Sequence, residues 1–145
     1  MFSHVVVGSD DLEKAKVFYD AALAPLGIIC RSYDLEGGWI TYASPGRVKN
    51  RFFVCRPIDG ATASVGNGTT IAFAAPDRES VHRFHAAAIA AGGTDEGAPG
   101  LRPNYVRNFY GAYVRDPQGH KICCVCLNPP EEMAASDHRR IDSRR

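Results

Sequence analysis

The chain reads twice. Residues 4–27, HVVVGSDDLEKAKVFYDAALAPLG, align without a gap with residues 70–93, TIAFAAPDRESVHRFHAAAIAAGG, at an offset of 66. Asp11/Asp77, Glu13/Glu79, Phe18/Phe84, Ala21/Ala87, Ala22/Ala88, Ala24/Ala90 and Gly27/Gly93 are identical, and the apolar positions agree in class. Self-similarity at a fixed period exposes the structural unit. It also makes each half a control for the other, because a residue that differs between equivalent positions raises a question of function.

The unit begins with a β-branched run, residues 2–8, closed by SerAspAsp, which supplies an N-cap before a helical pattern. From Leu12 the apolar residues recur as Leu12, Ala15, Phe18, Tyr19, Ala22 and Leu23, spaced by three and four as on one helix face, and Gly27 ends the pattern. Three strand-like runs follow between turn signals: residues 28–33, 39–43 and 52–55. The second unit opens at residues 69–74, continues into a helix with the stripe Val81, Phe84, Ala88 and Ile89, and is stopped by Gly92 and Gly93. A weak strand and a Gly/Pro loop occupy residues 94–107, and strands at 108–115 and 121–127 are joined by the turn AspProGlnGly. This predicts an α+β fold in which two tandem βαβββ units, residues 1–57 and 68–128, form one domain. Residues 57–68 form a polar, glycine-rich linker, and 129–145 a polar tail ending in basic residues.

Lys and Arg total 17 against 16 Asp and Glu, a formal charge of +1, so nothing attracts nucleic acid or an anionic membrane in bulk. No run approaches the ~20 apolar residues of a membrane span, and the N-terminus lacks a basic region leading into an apolar core. A cytoplasmic protein with a small-molecule partner is expected. Five cysteines, Cys30, Cys55, Cys123, Cys124 and Cys126, match no paired zinc-ligand spacing and read as reduced, buried thiols. There is no phosphate-binding glycine loop, no GxSxG elbow and no HExxH pair.

The doubled unit, His4 on a first strand, the run SDDLEKAKVFY and the hairpin YVRDPQGHKI together resemble the vicinal oxygen chelate superfamily of glyoxalase I, bleomycin- and fosfomycin-resistance proteins and extradiol dioxygenases. The likeness spans residues 2 to about 128. In its second half the chain is similar to small bacterial glyoxalase-like proteins, in IAFAAPDRESVHRFHAAAIAAGG, GAPGLRPNY and FYGAYVRDPQGHKI. The resemblance implies sheets that curl around a concave pocket, and homodimers in which units of two chains complete each cavity. It also implies a divalent ion held by a His on the first strand and a Glu on the last strand of each unit.

The four positions that the resemblance assigns to metal ligands are unevenly filled. His4 matches the first; Thr70, its repeat partner, stands in place of a His; Cys123 stands in place of the Glu after GHKI; and Phe53 is the counterpart of Cys123. Val106 replaces a further His of the pattern. One imidazole, one thiol, one hydroxyl and one phenyl ring do not supply the three ligands of catalytic zinc or the carboxylates that hard ions require. No cofactor is therefore expected, and the candidate ligand-binding residues are His4, Trp39, Thr70, Tyr105, Arg107 and Cys123. Trp39 offers a stacking surface, Arg107 a planar guanidinium for an anion, and Cys123 a nucleophile only if a cation lowers its pKa. Each also has an ordinary structural reading, as a core imidazole, a core ring, a solvated loop residue or a small buried thiol. His82 and His85, three apart on the helix, read as surface histidines, and His120 as solvated beside its turn. Three functions stand at this point: a small-molecule binding protein of glyoxalase/bleomycin-resistance type; a lyase, isomerase or dioxygenase using a divalent metal at a rearranged site that includes His4; and a structural partner module with an empty pocket.

Overall fold

The computed structural model describes residues 1–130; the rest of the expected tail lies outside the described residues. The first unit contains β1 (His4–Gly8), α1 (Leu12–Leu23), β2 (Ile29–Asp34), β3 (Trp39–Ala43) and β4 (Arg51–Cys55). The second repeats it as β5 (Ile71–Ala74), α2 (Arg78–Ala90), β6 (Thr94–Leu101), β7 (Tyr110–Arg115) and β8 (Lys121–Cys126). Each unit folds into a four-stranded mixed sheet of the same order, β1-β4-β3-β2 and β5-β8-β7-β6, with the first and last strands parallel. The doubled βαβββ architecture predicted from the repeat is thus the fold, and the weak strand at 94–107 is the eight-residue β6.

Both helices start on the aspartate shared by the repeats. The Lys14 amide donates to Asp11 (3.0 Å) and the Ser80 amide to Asp77 (2.7 Å), each satisfying an N–H that the helix leaves open. The helix ends differ. α1 stops at Leu23 because Pro25 cannot donate to a further turn, and a 3-10 turn over Ala24–Leu26 carries the chain to Gly27 in left-handed conformation. α2, with no proline, runs to Ala90, and Ile89 in its last turn faces solvent instead of extending the stripe.

The apolar faces of both helices enter one core. Phe18, Tyr19, Leu23, Ile40, Tyr42 and Val54 from the first unit join Val81, Phe84, Ala112, Val114, Ile122 and Cys124 from the second. The edge of Phe52 meets Phe73 across the units at 5.2 Å. Polar links reinforce the junction. The buried Tyr19 hydroxyl donates to Asp116 (2.5 Å), whose other oxygen accepts from the amides of Gln118, Gly119 and His120. His120, expected to be solvated, is half-buried and hydrogen-bonds the Gly8 carbonyl at 2.7 Å. The linker is strapped to this junction at Ala63, whose amide donates to Asp10 (2.7 Å) and whose carbonyl accepts from Gln118 (3.4 Å).

Candidate functional site

Each strand alternates between the helices and the opposite face, so the chemistry not used by the core lies on the face away from the helices. In the first unit that face carries His4, Val6 and Gly8 on β1, Arg51, Phe53 and Cys55 on β4, and Trp39, Thr41 and Ala43 on β3. In the second it carries Ala72 and Ala74 on β5, Lys121, Cys123 and Val125 on β8, and Gly111, Tyr113 and Arg115 on β7. Val6 pairs with Phe53 and Ala72 with Cys123, so the registers make Phe53 and Cys123 equivalents.

His4 is exposed at the start of β1, shares a 2.6 Å hydrogen bond with Ser3 and meets the edge of Phe53 at 5.6 Å between ring centroids. It borders a groove of about 300 Å³ formed with Phe2, Arg51 and the β5 residues Ile71, Ala72 and Phe73. Trp39 lies at the other end of the same sheet. His4 pairs with Arg51, whereas Trp39 pairs with Cys55, four residues and so roughly 13 Å farther along the strand direction, and on the strand at the other side of β4. Trp39 is 42% exposed and lines a hollow of about 830 Å³, together with Val6, Gly8, Cys55, Arg56 and the linker residues Pro57 and Ile58. Arg56 is fixed there by donating to the Leu35 carbonyl (2.7 Å). Burial raises the Cys55 thiol above its usual pKa, so it is a neutral wall.

Cys123 belongs to the other unit and is 1% exposed. Burial raises its pKa, against the opposing influence of Tyr113, Arg102 and Lys121, so the thiol is protonated at neutral pH and is no ready nucleophile. Tyr113 covers it across the ladder. The Tyr113 phenol is itself pushed up to about 12, first by burial and then by Cys123 and Tyr105, with Arg102 acting in the other direction. The Tyr113 ring has the Arg102 guanidinium and the Lys121 ammonium each 5.1 Å from its centroid. Thr70 precedes β5 and falls beside Lys121 in the register. Tyr105 is exposed and packs edge-on against Phe109 at 5.0 Å, and Arg107 is exposed in the same loop.

The fold therefore brings Cys123 and Tyr105 near Tyr113 in one unit, leaves Thr70 before the edge strand two strands away, and sets His4 and Trp39 at opposite ends of the other sheet. Tyr113, Arg102 and Lys121 were missed by the sequence reading; the signal available was the alternation of β7 and β8, which puts 113 and 123 on the same face as 121. The helix histidines are bonded rather than loose: His85 pairs with Asp95 at 2.9 Å, and His82 shares a 2.6 Å hydrogen bond with the Tyr110 hydroxyl. Among the described residues no three His, Cys, Asp or Glu side chains converge on a point where a metal ion could sit. No helix of the described residues is long and apolar enough to cross a membrane.

Two curled βαβββ sheets sharing a core, with their chemistry on the faces away from the helices, define a glyoxalase-type fold. The chain belongs to the glyoxalase/bleomycin resistance protein/dioxygenase superfamily, whose family model matches residues 1–124. It is 45% identical to a glyoxalase/bleomycin resistance protein from Albidiferax ferrireducens T118, over 89% of this chain and 99% of that one, with a TM-score of 0.77. It shares the fold of a glyoxalase-related enzyme from Fulvimarina pelagi (20% identity, 87% of each chain, TM-score 0.67). It also shares that of lactoylglutathione lyase from Agrobacterium tumefaciens (20% identity, 87% of this chain and 92% of that one, TM-score 0.60). Among curated proteins nothing matches the chain.

Proposed function

We propose that this chain binds a small organic molecule in the hollow over the first unit's sheet, and that binding does not use a divalent ion of the superfamily type. The observation that carries the reading is the hollow itself. Its volume of about 830 Å³ falls within the range of roughly 300–1,000 Å³ common for ligand clefts, and it has apolar walls and a half-exposed indole. An indole so placed is a stacking surface for a flat ligand. The metal-free part rests on the donor set. The four family positions hold an imidazole, a phenyl ring, a hydroxyl and a buried, protonated thiol, which do not fit zinc or a hard cation. A homodimer belongs to the proposal, supported by exposed Val6, Ile29 and Trp39 on one sheet face, which a second copy would cover. A reducing compartment such as the cytoplasm is supported by five free cysteines.

Trp39 is the chain's single tryptophan and lines the hollow, so its emission is a probe of that site. Titration with a panel of planar metabolites is expected to give saturable quenching by at least one of them, with a matching rise in thermal midpoint. A panel that leaves both signals unchanged refutes the binding reading. Elemental analysis of the purified protein tests the other half. Stoichiometric zinc, nickel, manganese or iron that disappears in His4→Ala would replace it with the metal-dependent enzyme.

A further inference from the structure

The second unit holds a cationic cluster that the hollow over Trp39 does not use. Lys121 and Arg102 both lie 5.1 Å from the centroid of the Tyr113 ring, so they are no more than about 10 Å from each other. Among the described residues neither forms an ion pair with a carboxylate. Glu96 on the neighbouring β6 is already held by Arg115 at 2.9 Å. Arg102 is not a loose surface side chain. Its guanidinium donates to the carbonyls of Ala98 (3.0 Å), Gly100 (3.0 Å) and Gly111, which clip it above the sheet and leave its Nε and one Nη2 hydrogen without an acceptor among the described residues. Two unit charges this close repel one another, and a rigidly held guanidinium cannot swing away to relieve it.

The ladder neighbours of Tyr113 and Cys123 are Gly97 and Ala72, and the guanidinium occupies the space over Gly97, with Arg102 Nη2 2.9 Å from where a Cβ there would stand. The floor is neutral, because burial keeps the Tyr113 phenol and the Cys123 thiol protonated at neutral pH, so no negative charge of the protein competes.

We propose that Lys121 and Arg102, with Tyr113 as the floor, form a binding subsite for an oxyanion, a carboxylate or phosphate group carried by a small molecule. The subsite rests on the small-molecule reading and names the chemical class of the ligand. Charge-assisted hydrogen bonds from a clipped guanidinium and a nearby ammonium favour such a group over a neutral isostere.

The test uses the full chain at constant ionic strength, with inorganic phosphate, benzoate and the neutral analogue benzamide as probes, followed by calorimetry and thermal midpoint. Saturable binding of phosphate or benzoate is expected, with benzamide at least about tenfold weaker than benzoate if the carboxylate is the group recognised. Lys121→Met should weaken the anion by about tenfold or more, and Lys121→Arg, which keeps the charge, should restore most of the loss. The two anions separate a carboxylate ligand from a phosphate one. The subsite is overturned if neither anion binds, if benzamide binds as tightly as benzoate while phosphate does not bind, or if Lys121→Met binds as well as the wild type. A compound that quenches Trp39 while no anion depends on Lys121 overturns the subsite alone; silence at Trp39 across the panel refutes the small-molecule reading instead.

Discussion

Tyr19→Phe removes one oxygen atom from the middle of the junction between the units. Tyr19 is fully buried and its hydroxyl donates to Asp116, a carboxylate only 6% exposed, across 97 positions of sequence. The other Asp116 oxygen keeps its three backbone amides, so the substitution strips one charge-assisted hydrogen bond without unmaking the turn. Such a bond contributes about 1.5–3 kcal/mol, and a central loss of about 2 kcal/mol corresponds to roughly 4–8 °C in midpoint for a chain of this size. Urea unfolding should show a lower midpoint with an unchanged slope, since the ring still fills its site. Tyr42→Phe is the control. Its hydroxyl bonds Asp20 at 2.9 Å, but Asp20 is part-exposed and already paired with Lys16, so the loss should stay below about 1 kcal/mol. The pH dependence has a definite sign. Burial, then the Asp116 charge, raises the folded Tyr19 phenol well above its ordinary 10.0. Its contribution is therefore complete below pH 10 and declines above it, where the unfolded phenol ionises and the folded one does not. Equal losses for the two variants, or a Tyr19→Phe loss within about 0.5 kcal/mol of zero, would refute the claim that this contact joins the units.

Gly93→Ala should destabilise by about 1–3 kcal/mol in the same assay, because an added Cβ would stand 2.7 Å from Phe18 Cε2 and 2.8 Å from the Ala88 carbonyl, where α1 and α2 approach. His120→Ala should cost about 1 kcal/mol by releasing the Gly8 carbonyl, and a neutral result would mean that water replaces the imidazole without loss. Asp77→Ala should lower the unfolding midpoint at neutral pH. The Ser80 amide and hydroxyl hold the folded Asp77 pKa below 3.8, so the stabilisation is present above that value and fades as pH falls through the folded one. The gap between wild type and Asp77→Ala should accordingly close in acid, and a gap that widens there would refute the capping account.

The scaffold was legible because its causes are local and occur twice. Asp11 and Asp77 mark helix starts through an interaction spanning three residues, and the buried face of α1 is the face its spacing requires. What escaped the sequence was set by contacts between units or between distant strands. Asp116 reads as a turn residue, and nothing within its turn announces that Tyr19 will complete it. His120 looked solvated because Gly8, 112 positions away, is its partner. Grouping of the site residues failed for the same reason: His4 and Trp39 share a sheet face, yet the pairing register, which no single strand specifies, sets them at opposite ends of it.

That register also explains how one repeat can carry two chemistries. Positions facing the helices stay apolar in both units, Val5 with Ile71, Val7 with Phe73, Phe52 with Ile122 and Val54 with Cys124, because each must pack against its own helix and the common core. Positions on the opposite face have no such duty, and they diverge: His4 with Thr70, Val6 with Ala72, Phe53 with Cys123. The aromatic residue changes place as well. Trp39 corresponds to Gly111 and Thr41 to Tyr113, so the ring moves two residues, about 7 Å, from the end of one sheet toward the middle of the other. It cannot occupy both places in the second unit, because a Cβ at Gly111 would lie 2.9 Å from Phe109 Cε1 and 3.2 Å from the Cys124 carbonyl. Gly111→Ala should therefore destabilise the protein, by about 1–3 kcal/mol in urea unfolding, as Phe109 is displaced. If the variant is as stable as the wild type, close packing does not hold the second face to its single ring, and the difference between the two faces loses its structural cause.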